Sequence, residues 1–151
     1  MCEIALVSWV LKYVEVDGTV TCMKTLGIDY GTKKVGVAIS DDTGSLAFPK
    51  AVLRNSHTLL GEIKSTIESN GVEEIVVGQS LDTEGQENLL MEDIKRFVVL
   101  LEKETNLPVH LEPEFFTSQE AHKGVKKGEV SIHMIDAAAA ALILQRYLDK
   151  H

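Results

Sequence analysis

Three acidic residues stand where carboxylates could gather around a metal ion. Asp29 ends an apolar run, Glu114 follows the last predicted strand, and Asp136 opens the last predicted helix. A carboxylate at the end of a central strand is costly to bury unless a cation or a metal ion meets it. Hard oxygen ligands suit Mg²⁺ or Mn²⁺ rather than zinc, and a pair of such ions is a recurrent device for phosphodiester cleavage. We expect the strands of Asp29 and Glu114 to be neighbours, which would bring both carboxylates to one edge of the sheet, and the pattern indicates a divalent metal site there.

The element that positions Asp29 is a predicted β-hairpin. An apolar run over Thr25–Asp29 reaches a turn at Gly31 and Thr32, and Val35–Ser40 returns as a second run of β-branched and small residues. Metal-dependent nucleases place a metal-binding carboxylate on such a hairpin, and actin-like and Hsp70-like ATPases wrap nucleotide phosphates with one. An acid close to a glycine is also common as a plain turn residue. The hairpin alone leaves these three interpretations open.

The remaining sequence predicts strands and helices in alternation, with Pro49 marking an edge strand or a bulge. The alanine run after Asp136 would let the last helix lie close to the sheet and bring that carboxylate in. The order β-β-β-α-β-α-β-α-α predicts an α/β domain with a mixed sheet of five strands. The further strands are predicted at Leu46–Arg54, Glu74–Gly78 and Leu107–Glu112, and the helices at Thr58–Asn70, at Glu87–Thr105, from Thr117, and from Ser131 or His133 to Leu148.

Length and charge limit the classes of function. The 151 residues suit one domain, and the formal net charge of −8 argues against broad, sequence-blind binding of nucleic acid. An enzyme with a local basic face and bound metal ions stays possible. Four lysines are candidates for phosphate contacts, although charged runs are more often solvated surface. They are Lys33, Lys34, Lys126 and Lys127.

Residues 1–22 are predicted to be an appendage, which can be mobile, to a single domain over residues 23–151. Within the appendage, Asp17-Gly18 favours a tight hairpin between two short strands. Both cysteines, Cys2 and Cys22, lie in this segment and suggest no disulfide framework, so we expect a cytoplasmic protein. The apolar run Ile4–Leu11 is too short to cross a bilayer, and we expect no membrane association.

Four stretches of the chain, taken together, resemble the YqgF family. In order they are GIDYGTKKVGVAISD, EIVVG with the polar loop after it, EPEFFTSQEA and IDAAAAALILQRYL, and the resemblance extends from Met23 to Tyr147. Family members have an RNase H-like fold, are related to RuvC-type Holliday junction resolvases, and have a proposed role as pre-16S rRNA nucleases. The hairpin and the alanine-rich helix are moderately specific motifs, and the four together are strong.

The resemblance implies a Mg²⁺- or Mn²⁺-dependent hydrolase with Asp29, Glu114 and Asp136 as metal ligands and catalytic residues. The implied substrate is structured RNA, with processing of the 5′ end of pre-16S rRNA from a ribosomal precursor as the role in ribosome biogenesis. The alternatives are a resolvase acting on branched DNA and a relative that binds nucleic acid without cleaving it. The chain has Pro113 and Phe115 where the family has Asp and Arg, which bears on substrate binding. An actin-like ATPase needs two such domains and is discounted.

Overall fold

The computed structural model describes the backbone of residues 13–16, 19–82, 84–114 and 134–151, and the side chains of residues 23–82, 84–113 and 134–151. Strands β1 (Tyr13–Val16) and β2 (Thr19–Cys22) pair antiparallel in a two-stranded sheet of their own. The hairpin that was predicted around Asp17-Gly18 is therefore confirmed. The predicted helix from Thr117 lies outside the described residues.

The main sheet has five strands in the order β5-β4-β3-β6-β7. Strands β3, β4 and β5 pair antiparallel, and β6 and β7 follow parallel to β3, so the predicted mixed sheet is confirmed. The strands are β3 (Lys24–Tyr30), β4 (Lys34–Ser40), β5 (Ala47–Arg54), β6 (Val72–Ser80) and β7 (Val109–Glu114).

The prediction that Asp29 and Glu114 lie on adjacent strands is wrong, because β6 separates β3 from β7. The reason is burial. Strand β6 contains the continuous run Ile75–Val77, which is inaccessible to solvent and must be covered on both faces. Strand β7 has the partly exposed Leu111 and suits the edge. Sequence order alone does not say on which side of β6 the last strand pairs.

Three helices cover the sheet within the described residues: α1 (Leu59–Asn70), α2 (Leu90–Thr105) and α3 (Ile135–Lys150). Helices α1 and α2 pack on one face around a core that includes Leu26, Ile63 and Ile94, and α3 packs on the other face through Ile143 and Leu144. No helix in the described ranges is both long and apolar enough to cross a membrane.

Local sequence explains where these elements end. Helix α1 stops at Gly71, whose φ of 65° is left-handed and easily adopted by glycine, as predicted. Helix α2 begins at Leu90, three residues later than predicted, and the Leu90 N–H donates a hydrogen bond of 3.0 Å to the Asn88 side-chain oxygen just before the helix. Pro49 lies on the edge strand β5 beside a register shift, as predicted.

Candidate active site

Asp29 lies near the carboxyl end of β3, directly opposite Gly36 of β4. Side chains alternate along a strand, so Asp29 shares a face with Gly27, while Ile28 points into the core beneath α1 and α2. Gly27 contacts α3, which shows that this face is the one covered by α3. The Asp29 side chain is half-buried. The predicted position of this carboxylate at the end of a central strand is confirmed.

Gly36, which pairs with Asp29, lets the backbone of Asp136 approach β4 closely. A Cβ atom built on Gly36 would lie 1.9 Å from the Asp136 carbonyl oxygen, far inside any permitted contact. A Cβ atom on Gly27 would likewise lie 2.7 Å from the Leu144 Cβ. The first turn of α3 therefore rests on bare backbone of β4, with the buried Ala137 and Ala140 completing the contact. The predicted close approach of α3 to the sheet is confirmed.

Glu114 is the last residue of β7 and pairs with Ser80 of β6. The predicted strand ended at Glu112, so the observed strand is longer and Glu114 belongs to it. Strands β3, β6 and β7 are parallel, and their carboxyl ends meet at one edge of the sheet. Neighbouring strands are about 4.8 Å apart, so β7 lies about 10 Å from β3. The Glu114 side chain is outside the described set.

The backbones of Asp29 and Asp136 thus both lie beside Gly36, the first paired with it and the second packed against it. Within the described side chains, no group of three or more His, Cys, Asp or Glu residues could hold a metal ion. Two carboxylates at a close contact between a strand and a helix supply hard oxygen donors, and this donor chemistry fits a divalent cation such as Mg²⁺ or Mn²⁺. Glu114 ends at the same edge and is the candidate for a third ligand.

A basic cleft opens at the same edge of the sheet, beside the β3–β4 turn. The exposed side chains of Lys33 and Lys34 line it together with Arg54, and its volume is about 600 Å³. Asn55 fixes the turn, since its side chain donates a hydrogen bond of 2.8 Å to the Gly31 carbonyl and its N–H donates one of 2.9 Å to the Lys33 carbonyl. The other two candidate lysines, at positions 126 and 127, lie outside the described residues.

Sequence reasoning missed Arg54 and Glu112. Arg54 ends β5 and pairs with Lys34, and this pairing depends on the register of β5 against β4, which the sequence alone does not give. Glu112 is buried with only 4% of its surface exposed and forms an ion pair with Lys150 of α3. In the sequence, Glu112 is marked only by its position two residues before Glu114. That position does not distinguish a buried acid near a strand end from a surface acid.

A second polar network joins the far end of α3 to the sheet. The Thr25 hydroxyl donates to Glu74 at 3.2 Å, and the His110 ring lies 3.3 Å from the same carboxylate. Burial raises the pKa of the Tyr147 hydroxyl, and the charge of Glu74 and a hydrogen bond to it raise that pKa further. Tyr147 also stacks on His110 with ring centroids 5.5 Å apart. These contacts fix α3 rather than perform chemistry.

Comparison with protein families and curated relatives agrees with this architecture. The family described as RuvX: Holliday junction resolvase matches residues 23–150. A protein of Koribacter versatilis named "Putative pre-16S rRNA nuclease" is 38% identical over 133 residues, which is 84% of this chain and 87% of the relative. A protein of the same name from Nitratidesulfovibrio vulgaris is also 38% identical, over 84% of this chain and 94% of its own length.

Among solved structures, Thermus thermophilus RuvC in complex with a Holliday junction substrate is similar, with a TM-score of 0.54 and 17% identity. The match covers 85% of this chain and 94% of RuvC. At this level of identity the likeness concerns the fold alone, and it confirms the predicted RNase H-like fold. The family match, the relatives and the fold agree, and the chain belongs to the RuvX family, which is the YqgF family of nucleases that its motifs resemble.

Proposed function

We propose that the protein is a divalent-metal-dependent nuclease that processes the 5′ end of pre-16S rRNA during ribosome biogenesis in the cytoplasm. The main observation is the placement of Asp136 on Gly36, opposite Asp29, at the edge where the parallel strands end. The relatives named for pre-16S rRNA support the choice of substrate. We assign the activity to a single domain over residues 23–151, with residues 1–22 as an appendage.

In this proposal Asp29, Glu114 and Asp136 would hold Mg²⁺ or Mn²⁺, which would supply an activated water and stabilise the leaving oxygen. The protein's own part is positioning. The sheet sets Asp29, and the contact of α3 with Gly36 sets Asp136, so neither carboxylate depends on a loop for its place. Lys33, Lys34, Lys126 and Lys127 would contact phosphates of the substrate.

A second candidate is cleavage of branched DNA. The family description and the fold shared with RuvC favour it. Pro113 and Phe115, which replace Asp and Arg of the family pattern, adjoin Glu114 and therefore bear on which nucleic acid is cleaved. A third candidate, binding without cleavage, predicts no hydrolysis of either substrate.

The test combines metal binding with cleavage. Mg²⁺ or Mn²⁺ at a hundred times its dissociation constant should stabilise the wild type by about 2.7 kcal/mol, since the ion binds only the folded state. Asp29→Asn and Asp136→Asn should each lose most of this gain and most cleavage of a pre-16S rRNA fragment or a four-way DNA junction. Thermal unfolding and gel analysis of the products measure the two effects.

Asp42→Asn is the matched control, because Asp42 is 84% exposed and its one ion pair with a described residue is a surface contact of 2.8 Å with Lys24. This variant should keep both the metal response and the activity. Equal cleavage by wild type and Asp29→Asn would show that the hydrolysis arises elsewhere. A full metal response without cleavage of either substrate would favour the binding-only candidate.

A further inference from the structure

The basic cleft beside the β3–β4 turn lies on the same face of the sheet as Asp29 and Asp136, the acidic pair. Asp29 pairs with Gly36, and Gly36 pairs with Val52, so these three residues form one row across β3, β4 and β5. Lys34 and Arg54 pair with each other in the next row of the same face, because each lies two residues from a member of the first row. The two cations therefore stand one row beyond the carboxylate, at the edge where β3 ends.

The distances suit a single extended strand of nucleic acid. Neighbouring strands are about 4.8 Å apart, so the Lys34 backbone is about one strand from β3 and the Arg54 backbone about two. Side chains of this length then reach toward any group bound at Asp29 and Asp136. The cleft has room for a sugar and phosphate, with a volume of about 600 Å³ and the apolar Val52 and Leu53 in its lining.

The cationic head groups of the cleft are available to bind phosphates. Among the described residues, no carboxylate lies within 4.0 Å of the Lys33, Lys34 or Arg54 head group, whereas Lys95 and Lys150 each contact an acid. In a chain of net charge −8, a cleft lined by three such cations is a local exception. The hydrogen bonds of Asn55 hold the turn that presents them, which reduces the conformational freedom lost on binding.

We propose that Lys34 and Arg54 bind the phosphodiester backbone of the substrate beside the cleaved bond, so that the strand passes over β4 and β5 rather than over β7. This inference rests on the proposed nuclease function and extends it by naming the side from which the substrate strand enters. The chemistry recognised is the phosphate backbone, which RNA and DNA share. Lys33 lines the cleft from the turn and adds to its charge.

The test measures binding without cleavage. Fluorescence anisotropy is recorded with EDTA for a single-stranded RNA oligonucleotide and for a four-way DNA junction, in the Asp29→Asn background. Each phosphate contact that is lost should lower the slope of log K against log salt by about 1. Lys34→Ala and Arg54→Ala should each show this change, their double variant about twice as much, and Arg54→Lys should restore most of it.

Lys103→Ala is the matched control, because Lys103 is equally exposed but lies in the last turn of α2, on the opposite face of the sheet. An unchanged slope in the double variant, or no binding of either nucleic acid, would contradict the proposal that Lys34 and Arg54 bind the phosphate backbone. If the slope changes only with the RNA, the cleft binds RNA. If it changes only with the four-way junction, the cleft binds branched DNA. If wild type cleaves and the slope is unchanged, the nuclease function stands without the cleft.

Discussion

At Gly36 the absence of a side chain decides where Asp136 lies. The first turn of α3 occupies the space that any Cβ atom on Gly36 would need. A glycine in the middle of a strand normally weakens the strand, so this position trades sheet stability for a close approach of the helix backbone. The relative position of Asp29 and Asp136 consequently depends on Gly36, a residue without a functional group.

Gly36→Ala should therefore lower both the stability and the activity of the protein. The added methyl group would force α3 away from β4 at a cost of about 1–3 kcal/mol, which is typical of overpacking. A displacement of about 1 Å at a catalytic group can lower the rate about 100-fold, and we expect a loss of that order. Urea unfolding and initial rates of phosphodiester cleavage measure the two effects.

Gly61→Ala provides the control for this prediction. Gly61 lies inside α1, and a Cβ atom there would have no neighbour within 4 Å. This substitution should stabilise the protein by about 0.5–1 kcal/mol and leave the cleavage rate unchanged. If Gly36→Ala retains the full rate, the position of Asp136 does not depend on the contact with Gly36.

Helix α3 is fastened to the sheet at its far end by polar contacts. Tyr147 donates its hydroxyl hydrogen to Glu74, stacks on His110, and lies one turn before the Lys150 that pairs with Glu112. Since both the burial and the charge of Glu74 raise its pKa above the ordinary 10.0, the folded state holds the tyrosine proton more tightly than the unfolded state does. The resulting stability is complete below about pH 10 and is lost as the pH rises above that value.

The unfolding free energy of the wild type should consequently fall steeply above about pH 10. Tyr147→Phe should remove much of this slope and cost about 1–2 kcal/mol at pH 7, because Glu74 loses a hydrogen bond. Urea unfolding at several pH values measures both effects. Tyr30→Phe is the control: Tyr30 lies on the opposite face, in tilted ring contact with Phe97 at a centroid distance of 4.8 Å, and this variant should keep the alkaline slope. Identical pH profiles for wild type and Tyr147→Phe would contradict this account.

The elements that the sequence predicts well are those with a local signal. The β3–β4 hairpin follows from alternation around a turn, the end of α1 follows from Gly71, and the edge position of β5 follows from Pro49. The order of β6 and β7 has no local signal, because a parallel crossover can place a strand on either side of its neighbour. The expected adjacency of Asp29 and Glu114 failed for that reason.

The residues of the candidate site also differ in whether a local sequence signal identifies them. Asp29 and Asp136 could be predicted, since one ends a strand and the other begins a helix rich in alanine. Arg54 could not be assigned to the site, because its relation to Asp29 depends on the register of three strands. Glu112 resembles a surface acid in sequence, and only the packing of α3 shows that it is buried against Lys150.

The acidic surface of the whole chain sets how salt affects substrate binding. A net charge of −8 repels a polyanion, so we expect the favourable electrostatic contacts to come from the basic cleft, from Lys126 and Lys127, and from any bound metal ions. With about five phosphate contacts, from Lys33, Lys34, Arg54, Lys126 and Lys127, single-stranded binding should weaken about 130-fold between 50 and 200 mM salt. Proteins with many phosphate contacts lose about 1,000-fold or more over the same range. Anisotropy titrations with wild type in EDTA measure this, and a loss above 1,000-fold would indicate a much broader basic surface.

The contact between Gly36 and α3 also fixes the time at which the site becomes complete during synthesis. The strands that hold Asp29, Lys34 and Arg54 leave the ribosome first, and Asp136 follows about a hundred residues after Asp29. Until α3 has emerged and packed against Gly27 and Gly36, a growing chain has Asp29 without Asp136, and one face of its sheet is uncovered. On the proposed site, cleavage of RNA would begin only after α3 has left the ribosome.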